Sequence, residues 1–298
     1  MKVIRPRKNL QQAIPLMALM AAINVIVSEL ASLSPIVSIF LILCLPLTSA
    51  LVELCCKDRY FPIYALATFG LSIALTFWNI EATIFYVLPS IVTGYIFGLM
   101  AKLKIPAIWS IFAATLAQTA ISFGLIPLVN FIFQVDIIET FKIAFGVSQM
   151  DGIDIIVPAF IFVISLLQVS LSYLIVAHEL PKFGIAYEEN RRSKSTAIIT
   201  GIVFGSIVWA LYFWRLDLAY LALMFSFYFA CYSFGILIDN RNYTAMIICG
   251  FIVLANVFLF AGVQSFLIKH SQLLLTSFSS VLICLVSCLF SFLRKEKE

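Results

Sequence analysis

The chain of 298 residues is 63% hydrophobic and 11% charged, with a mean hydropathy of +1.08. Soluble domains are about 45–50% apolar and about 25% charged, so a water-soluble body is excluded and an all-α, polytopic helical membrane protein is implied. The net charge of +4 comes from Lys and Arg dispersed over many segments, without the basic stripe of a nucleic-acid binder, so no nucleic-acid partner is expected.

The first span, Leu10 to Leu33, follows Lys2, Arg5, Arg7 and Lys8. Its length suffices to cross a hydrocarbon core of ~30 Å, and the basic flank should stay in the cytoplasm. Ala18 and Ala22 form a small-xxx-small pair, and Glu29 follows on the same stripe, ~20° short of two full turns from Ala22. A carboxylate facing lipid costs roughly 2.5–3.5 kcal/mol, so the stripe should face protein unless Glu29 reaches water at the outer interface.

The second span starts after Ser34 at Pro35, contains Pro46 as an expected kink and reaches about Leu54. Glu53, Lys57, Asp58 and Arg59 mark a short cytoplasmic loop before a third span from about Phe61 to Phe77. Trp78, Asn79 and Glu81 form the outer turn, the fourth span covers about Ala82 to Ala101, and Lys102 and Lys104 follow it inside. The fifth runs from near Pro106 to about Gly124, where Gly124 and Pro127 should break it. In the long outer connection over 125–154, Ile137, Ile138, Phe141, Ala144 and Phe145 recur at helical spacing, predicting a short helix on the membrane surface. Asp154 is positioned to cap a sixth span, Ile155 to Ala177.

A polar linker over 181–195, with Lys182, Arg191, Arg192 and Lys194, separates a six-span unit (1–180) from a four-span unit (196–298). The latter reads as Thr196–Trp214, Leu216–Ile238, Thr244–Leu267 and Gln272–Leu293. With about ten spans and both termini cytoplasmic, Lys142, Arg215 and Lys269 are the only basic residues outside, which is the charge bias expected of a bacterial cytoplasmic (inner) membrane protein. No removable signal peptide followed by a soluble body is expected.

Little in the chain suggests catalysis. P-loop, HExxH and GxSxG patterns are absent, and His178 and His270 lie at span ends on opposite sides. The cysteines lack the histidine and carboxylate company of a metal site and read as small apolar fillers. No catalytic residue, metal or cofactor is expected, and Glu53, Asp58, His178 and Glu179 are only loose candidates for a lipid-directed enzyme. The polar residues within spans say more: Asn24, Ser28 and Glu29; Gln118, Thr119 and Ser122; Gln168, Ser170 and Ser172; and Asn256. Together with Trp78, Asn79, Glu81, Tyr86 and Asn130 they are the groups an outward-facing ligand cup requires. Alternatively, the buried ones hydrogen-bond between helices, and the aromatics are ordinary interfacial residues.

Residues 1–180 resemble the substrate-binding S components of energy-coupling-factor vitamin transporters. The likeness lies in the basic flank, Ala18-Leu-Met-Ala-Ala22, the Leu45-Pro46-Leu47 kink and the basic loop at Lys57–Arg59. The whole chain is similar to the uncharacterised YybS-like membrane family, which adds further helices to such a front. The resemblance implies a vitamin-sized or nucleobase-sized solute and a coupling-factor membrane subunit docking at Ala18 and Ala22. Separate ATPases would supply the energy. It makes Glu29, Asn79, Glu81, Gln118 and Gln168 candidate ligand contacts, to which the span polar groups and outer aromatics add Asn24 and Trp78. The alternative is a non-catalytic structural or regulatory protein that binds a partner through its cytoplasmic face.

Overall fold

A computed structural model describes residues 7, 9–33, 35–75, 80–134, 136–144, 153–183, 193–263 and 271–295. Among these, the secondary structure is helical: α1 (Leu10–Leu33), α2 (Pro35–Cys55), α3 (Phe61–Leu75), α4 (Ile80–Lys102), α5 (Ala107–Phe133), α6 (Ile137–Ala144), α7 (Ile153–Glu179), α8 (Ser193–Tyr212), α9 (Leu216–Asp239), α10 (Tyr243–Val263) and α11 (Ser271–Lys295). Among the described residues, six helical segments are long and apolar enough to cross a membrane: Leu10–Ala31, Ala107–Ile132, Ile155–Lys182, Lys194–Tyr212, Leu216–Asp239 and Gln272–Phe290. These are the helices of an integral membrane protein.

The chain divides into two compact units. The first comprises Met1–Gln149 with Ile164–Glu189, the second Met150–Val163 with Asn190–Glu298. In the first unit α2 packs on α1 and α4, α4 also on α5, and α3 on α1 and α4. One apolar core joins Ala13, Leu16, Met17 and Ala21 of α1 to Val52, Cys55 and Cys56 of α2, Tyr64 of α3, and Val87 and Ile91 of α4. A second gathers Ala50 and Leu51, Phe97, Ala114, and Val169, Tyr173 and Val176. The α2–α4 contact is unusually close. A Cβ added at Gly98 would lie 2.6 Å from Glu53 Cβ and 3.0 Å from the Ala50 carbonyl oxygen, and one at Gly94 would meet the Pro46 carbonyl and Ser49. Gly94-x-x-x-Gly98 is thus a glycine face that lets two backbones approach.

The second unit repeats the device. Gly201-x-x-x-Gly205 of α8 abuts Cys284 and Val281 of α11 and Phe229 and Ser226 of α9. Along α9 the buried residues include Ala219, Ala222, Ser226, Phe229, Ser233 and Ile236; along α11 they include Leu273, Ser277, Ser280, Cys284 and Ser287. Both series alternate steps of three and four, the spacing of a left-handed coiled-coil seam. Small hydroxylated residues occupy it: Ser226 and Ser280 Oγ are 2.7 Å apart, and Ser287 Oγ donates to the Ser233 carbonyl at 3.1 Å.

Two expectations about the elements need correction. The fifth span does not break at Gly124 and Pro127; α5 runs through both to Phe133 and ends on Gln134 in the left-handed conformation (φ 54°). Nothing lies within 4 Å of a Cβ built at Gly124, and membrane helices accommodate an internal proline through local readjustment. Asp154 does not precede its helix, because α7 already starts at Ile153. The short helix expected after the fifth span is present as α6, capped by Asp136, whose Oδ1 accepts the N–H groups of Ile138 (3.0 Å) and Glu139 (3.1 Å).

Candidate functional site

α1 is apolar on every side, so its orientation is set by the few polar residues whose burial demands a partner. Asn24 is fully buried, and its Nδ2 donates to Thr48 Oγ1 of α2 at 2.9 Å. Thr48 Oγ1 in turn donates to the Leu45 carbonyl (2.8 Å) and accepts from the Tyr64 hydroxyl of α3 at 3.2 Å. Ser49 Oγ is 3.3 Å from the same hydroxyl. Thr68 continues the buried stripe of α3 one turn beyond Tyr64. Asn24 Oδ1 in this cluster, and Thr68 Oγ1 further along α3, are buried and have no hydrogen-bond partner among the described residues. An unmet buried polar atom costs about 1–3 kcal/mol, so the cluster carries more polar capacity than its own bonds use.

A second cluster links α4, α5 and α7. Thr93 Oγ1 donates to Gln118 Oε1 at 3.2 Å, and Gln118 Nε2 donates to Gln168 Oε1 at 2.7 Å. The sequence placed Gln118 and Gln168 in one site, and the structure joins them directly to each other. In the second unit Asn256 Nδ2 bonds Ser279 Oγ and the Leu275 carbonyl (3.3 Å), again between helices.

The remaining expected residues are dispersed. Glu29 is half-buried on α1. Ala18 and Ala22 are exposed, whereas Ala13, Met17, Ala21, Asn24, Val25 and Ser28 are buried. Ala18 and Ala22 therefore lie on the outer face of α1, because the requirement to bury Asn24 and Ser28 turns the opposite face inward. Trp78 and Asn79 lie outside the described residues, as does the side chain of Glu81 in the first turn of α4. Two surface hollows occur elsewhere. A groove of about 200 Å³ between α3 and α4 is lined by apolar and aromatic residues from Phe61 to Tyr95, and one of about 470 Å³ in the second unit lies around Tyr212, Trp214 and Arg215. Neither is lined by an expected ligand residue.

By sequence, Glu53 and Asp58 are loop charges and loose enzyme candidates; the structure brings both to Lys102. Lys102 Nζ, at the end of α4, lies 2.5 Å from Glu53 Oε1 and 2.5 Å from Asp58 Oδ1, and donates to the Cys56 carbonyl at 3.3 Å. The hydrogen bond from Lys102 holds the Asp58 carboxyl below the ordinary aspartate range. The missed signal was the spacing Gly94, Gly98, Lys102, which puts two glycines and a cation on one face of α4. No protein-family model, curated protein or solved structure matches the chain.

Proposed function

We propose that the protein is a non-catalytic binding or transport component for a small polar solute in the bacterial cytoplasmic membrane, with about ten spans and both termini inside. The observation that carries this reading is Asn24: an amide held at the heart of three helices, fully buried, with its carbonyl oxygen left unmatched. Its Nδ2 already ties α1 to α2 through Thr48, so the unmatched group is the carbonyl oxygen, and a solute with a hydrogen-bond donor would satisfy it. Thr68, one turn beyond Tyr64 on α3, offers a further unmatched buried hydroxyl, and the S-component likeness of residues 1–180 suggests vitamin-sized or nucleobase-sized solutes. The exposed Ala18 and Ala22 favour docking by a coupling-factor membrane subunit, with separate ATPases as the energy source.

Mass spectrometry of small molecules retained by purified protein, with a thermal-shift panel of vitamins, purines and amino acids, tests the proposal. A retained compound should raise the melting temperature of wild type and fail to do so for Asn24→Ala. A panel that shifts nothing, with no compound retained, overturns it. A second reading is favoured by the Thr93–Gln118–Gln168 chain, whose members bond one another: a structural or regulatory protein that engages a partner through its cytoplasmic face. Crosslinking through Lys182 and Lys194 that recovers a stoichiometric, non-transport partner would select it.

A further inference from the structure

The polar clusters of α1, α5 and α7 are built of neutral groups. The end of the α2–α4 pair is different, because it contains a carboxylate where the glycines of α4 approach α2 closely. Gly98 leaves no room for a side chain: its Cβ would lie 2.6 Å from Glu53 Cβ and 2.8 Å from Glu53 Cγ. One turn later Lys102 meets the carboxylate. The stripe Gly94, Gly98, Lys102 on α4 therefore lies along Pro46, Ser49, Ala50 and Glu53 on α2, with the glycines accommodating the Glu53 stem and the lysine holding one of its oxygens.

We propose that Glu53 is a reversible proton-binding site, taking up one proton on Oε2 while Lys102 and Asp58 retain their charges. The Glu53 side chain has 0% exposure. Its Oε1 is bonded by Lys102 and its carboxyl lies within hydrogen-bonding reach of Asp58, whereas Oε2 is buried and without a hydrogen-bond partner among the described residues. With both carboxylates ionised the triad carries one net negative charge against an apolar wall; with a proton on Oε2 it is neutral. Burial of net charge is expensive, and a proton added at the unmatched oxygen removes it without breaking a bond. Lys102 and Asp58 side chains are 26% and 61% exposed, so water at the helix end supplies the proton and receives it back.

Other charges near Glu53 do not substitute for this role. α3 presents the Tyr64 hydroxyl, which is engaged by Thr48 and Ser49. The Cys55 and Cys56 thiols are packed with Ala13, Leu16 and Met17 of α1. The Arg7 guanidinium, near Cys55 and Cys56, donates to the Gln12 carbonyl oxygen at 2.6 Å, and Arg59 lies over the Tyr60 ring, 4.8 Å from its centroid. A metal cation is a poor alternative occupant. The lysine ammonium already occupies the cation position at Oε1 and would repel it. The inference is independent of the solute reading.

Infrared difference spectra of wild-type protein in liposomes, titrated from mildly alkaline to mildly acidic pH, should show a protonated-carboxyl band that Glu53→Gln abolishes. Two further variants keep Glu53 and serve where Glu53→Gln does not fold. Lys102→Gln removes a positive neighbour and should move the midpoint to higher pH by about one unit or more, while Asp58→Asn removes a negative one and should move it to lower pH. The proposal is overturned if no carboxyl band titrates in wild type, or if the band survives Glu53→Gln. It is equally overturned if the two charge variants shift the midpoint in the same direction or not at all, or if sodium rather than pH drives the spectral change.

Discussion

A Cβ at Gly94 would press on the Pro46 carbonyl and the Ser49 side chain, whereas one at Gly70 would meet nothing within 4 Å. The two glycines should therefore respond oppositely. Gly94→Leu or Gly98→Leu should destabilise the protein by about 1–3 kcal/mol, as overpacking does in tight interiors. Gly70→Ala, on the same measurement of thermal unfolding in detergent, should be neutral or stabilising by up to about 1 kcal/mol. Asp58 supplies a pH-dependent counterpart. Its folded pKa is depressed by the Lys102 hydrogen bond, so its contribution is present above the ordinary aspartate value and is lost as pH falls through the lower folded one. With a side-chain exposure of 61% the effect is small and screened. Asp58→Asn should flatten the acid limb of a stability–pH profile and leave its alkaline limb unchanged. Asn24 was recognisable from sequence because an amide amid apolar residues must find company. The Glu53–Lys102 pairing was not, since the partners are 49 positions apart and nothing local indicates which helices will adjoin.

At the scale of elements, hydropathy and basic flanks located the helices, but the face each helix presents was harder to read. α1 has almost no amphipathic contrast, and a small-residue pair at Ala18 and Ala22 competed with the Asn24–Ser28 stripe for the interior. The hydrogen-bonding stripe is the buried one, in keeping with the cost of leaving an amide in hydrocarbon. Turns closing α4 and α9 show a related compromise. Ile105 N–H reaches the Met100 carbonyl at 2.9 Å and Asn242 N–H reaches the Leu237 carbonyl at 3.1 Å, with Lys104 (φ 54°) and Arg241 (φ 50°) at the left-handed positions glycine usually fills. A basic side chain there complements the helix dipole, at some backbone cost. For the α9–α11 seam, a double-mutant cycle of Ser226→Ala and Ser280→Ala should report a coupling of about 0.6 kcal/mol, the ordinary value of an interhelical membrane hydrogen bond. Coupling indistinguishable from zero would show that the hydroxyls only fill space.

For the molecule as a whole, segments bearing Lys57 and Arg59, Lys102 and Lys104, and Arg241 are expected on one side of the membrane, with Arg215 on the other. In a background lacking the exposed Cys44 and Cys231, Leu103→Cys should react with an impermeant thiol reagent only from the cytoplasmic side. Phe213→Cys should react only from the outside. Both positions are exposed, at 60% and 82%, so protection by packing would not mimic the result. Composition alone was enough to predict a helical membrane protein. The division into units was less legible, because a helix such as α7 is continuous in hydropathy while its first residues group with Asn190–Glu298 and its remainder with Met1–Gln149.

The seam of Ser226, Ser233, Ser280 and Ser287 also determines which length changes the second unit can absorb. One extra alanine after Ile283 would rotate the rest of α11 by ~100°, carrying Ser287 away from the Ser233 carbonyl and towards lipid. An insertion of seven would bring a hydroxyl back to the same azimuth, to within ~20°. Across natural variants of this chain, gaps inside α11 should therefore occur in whole heptads, while the joints between helices vary freely in length.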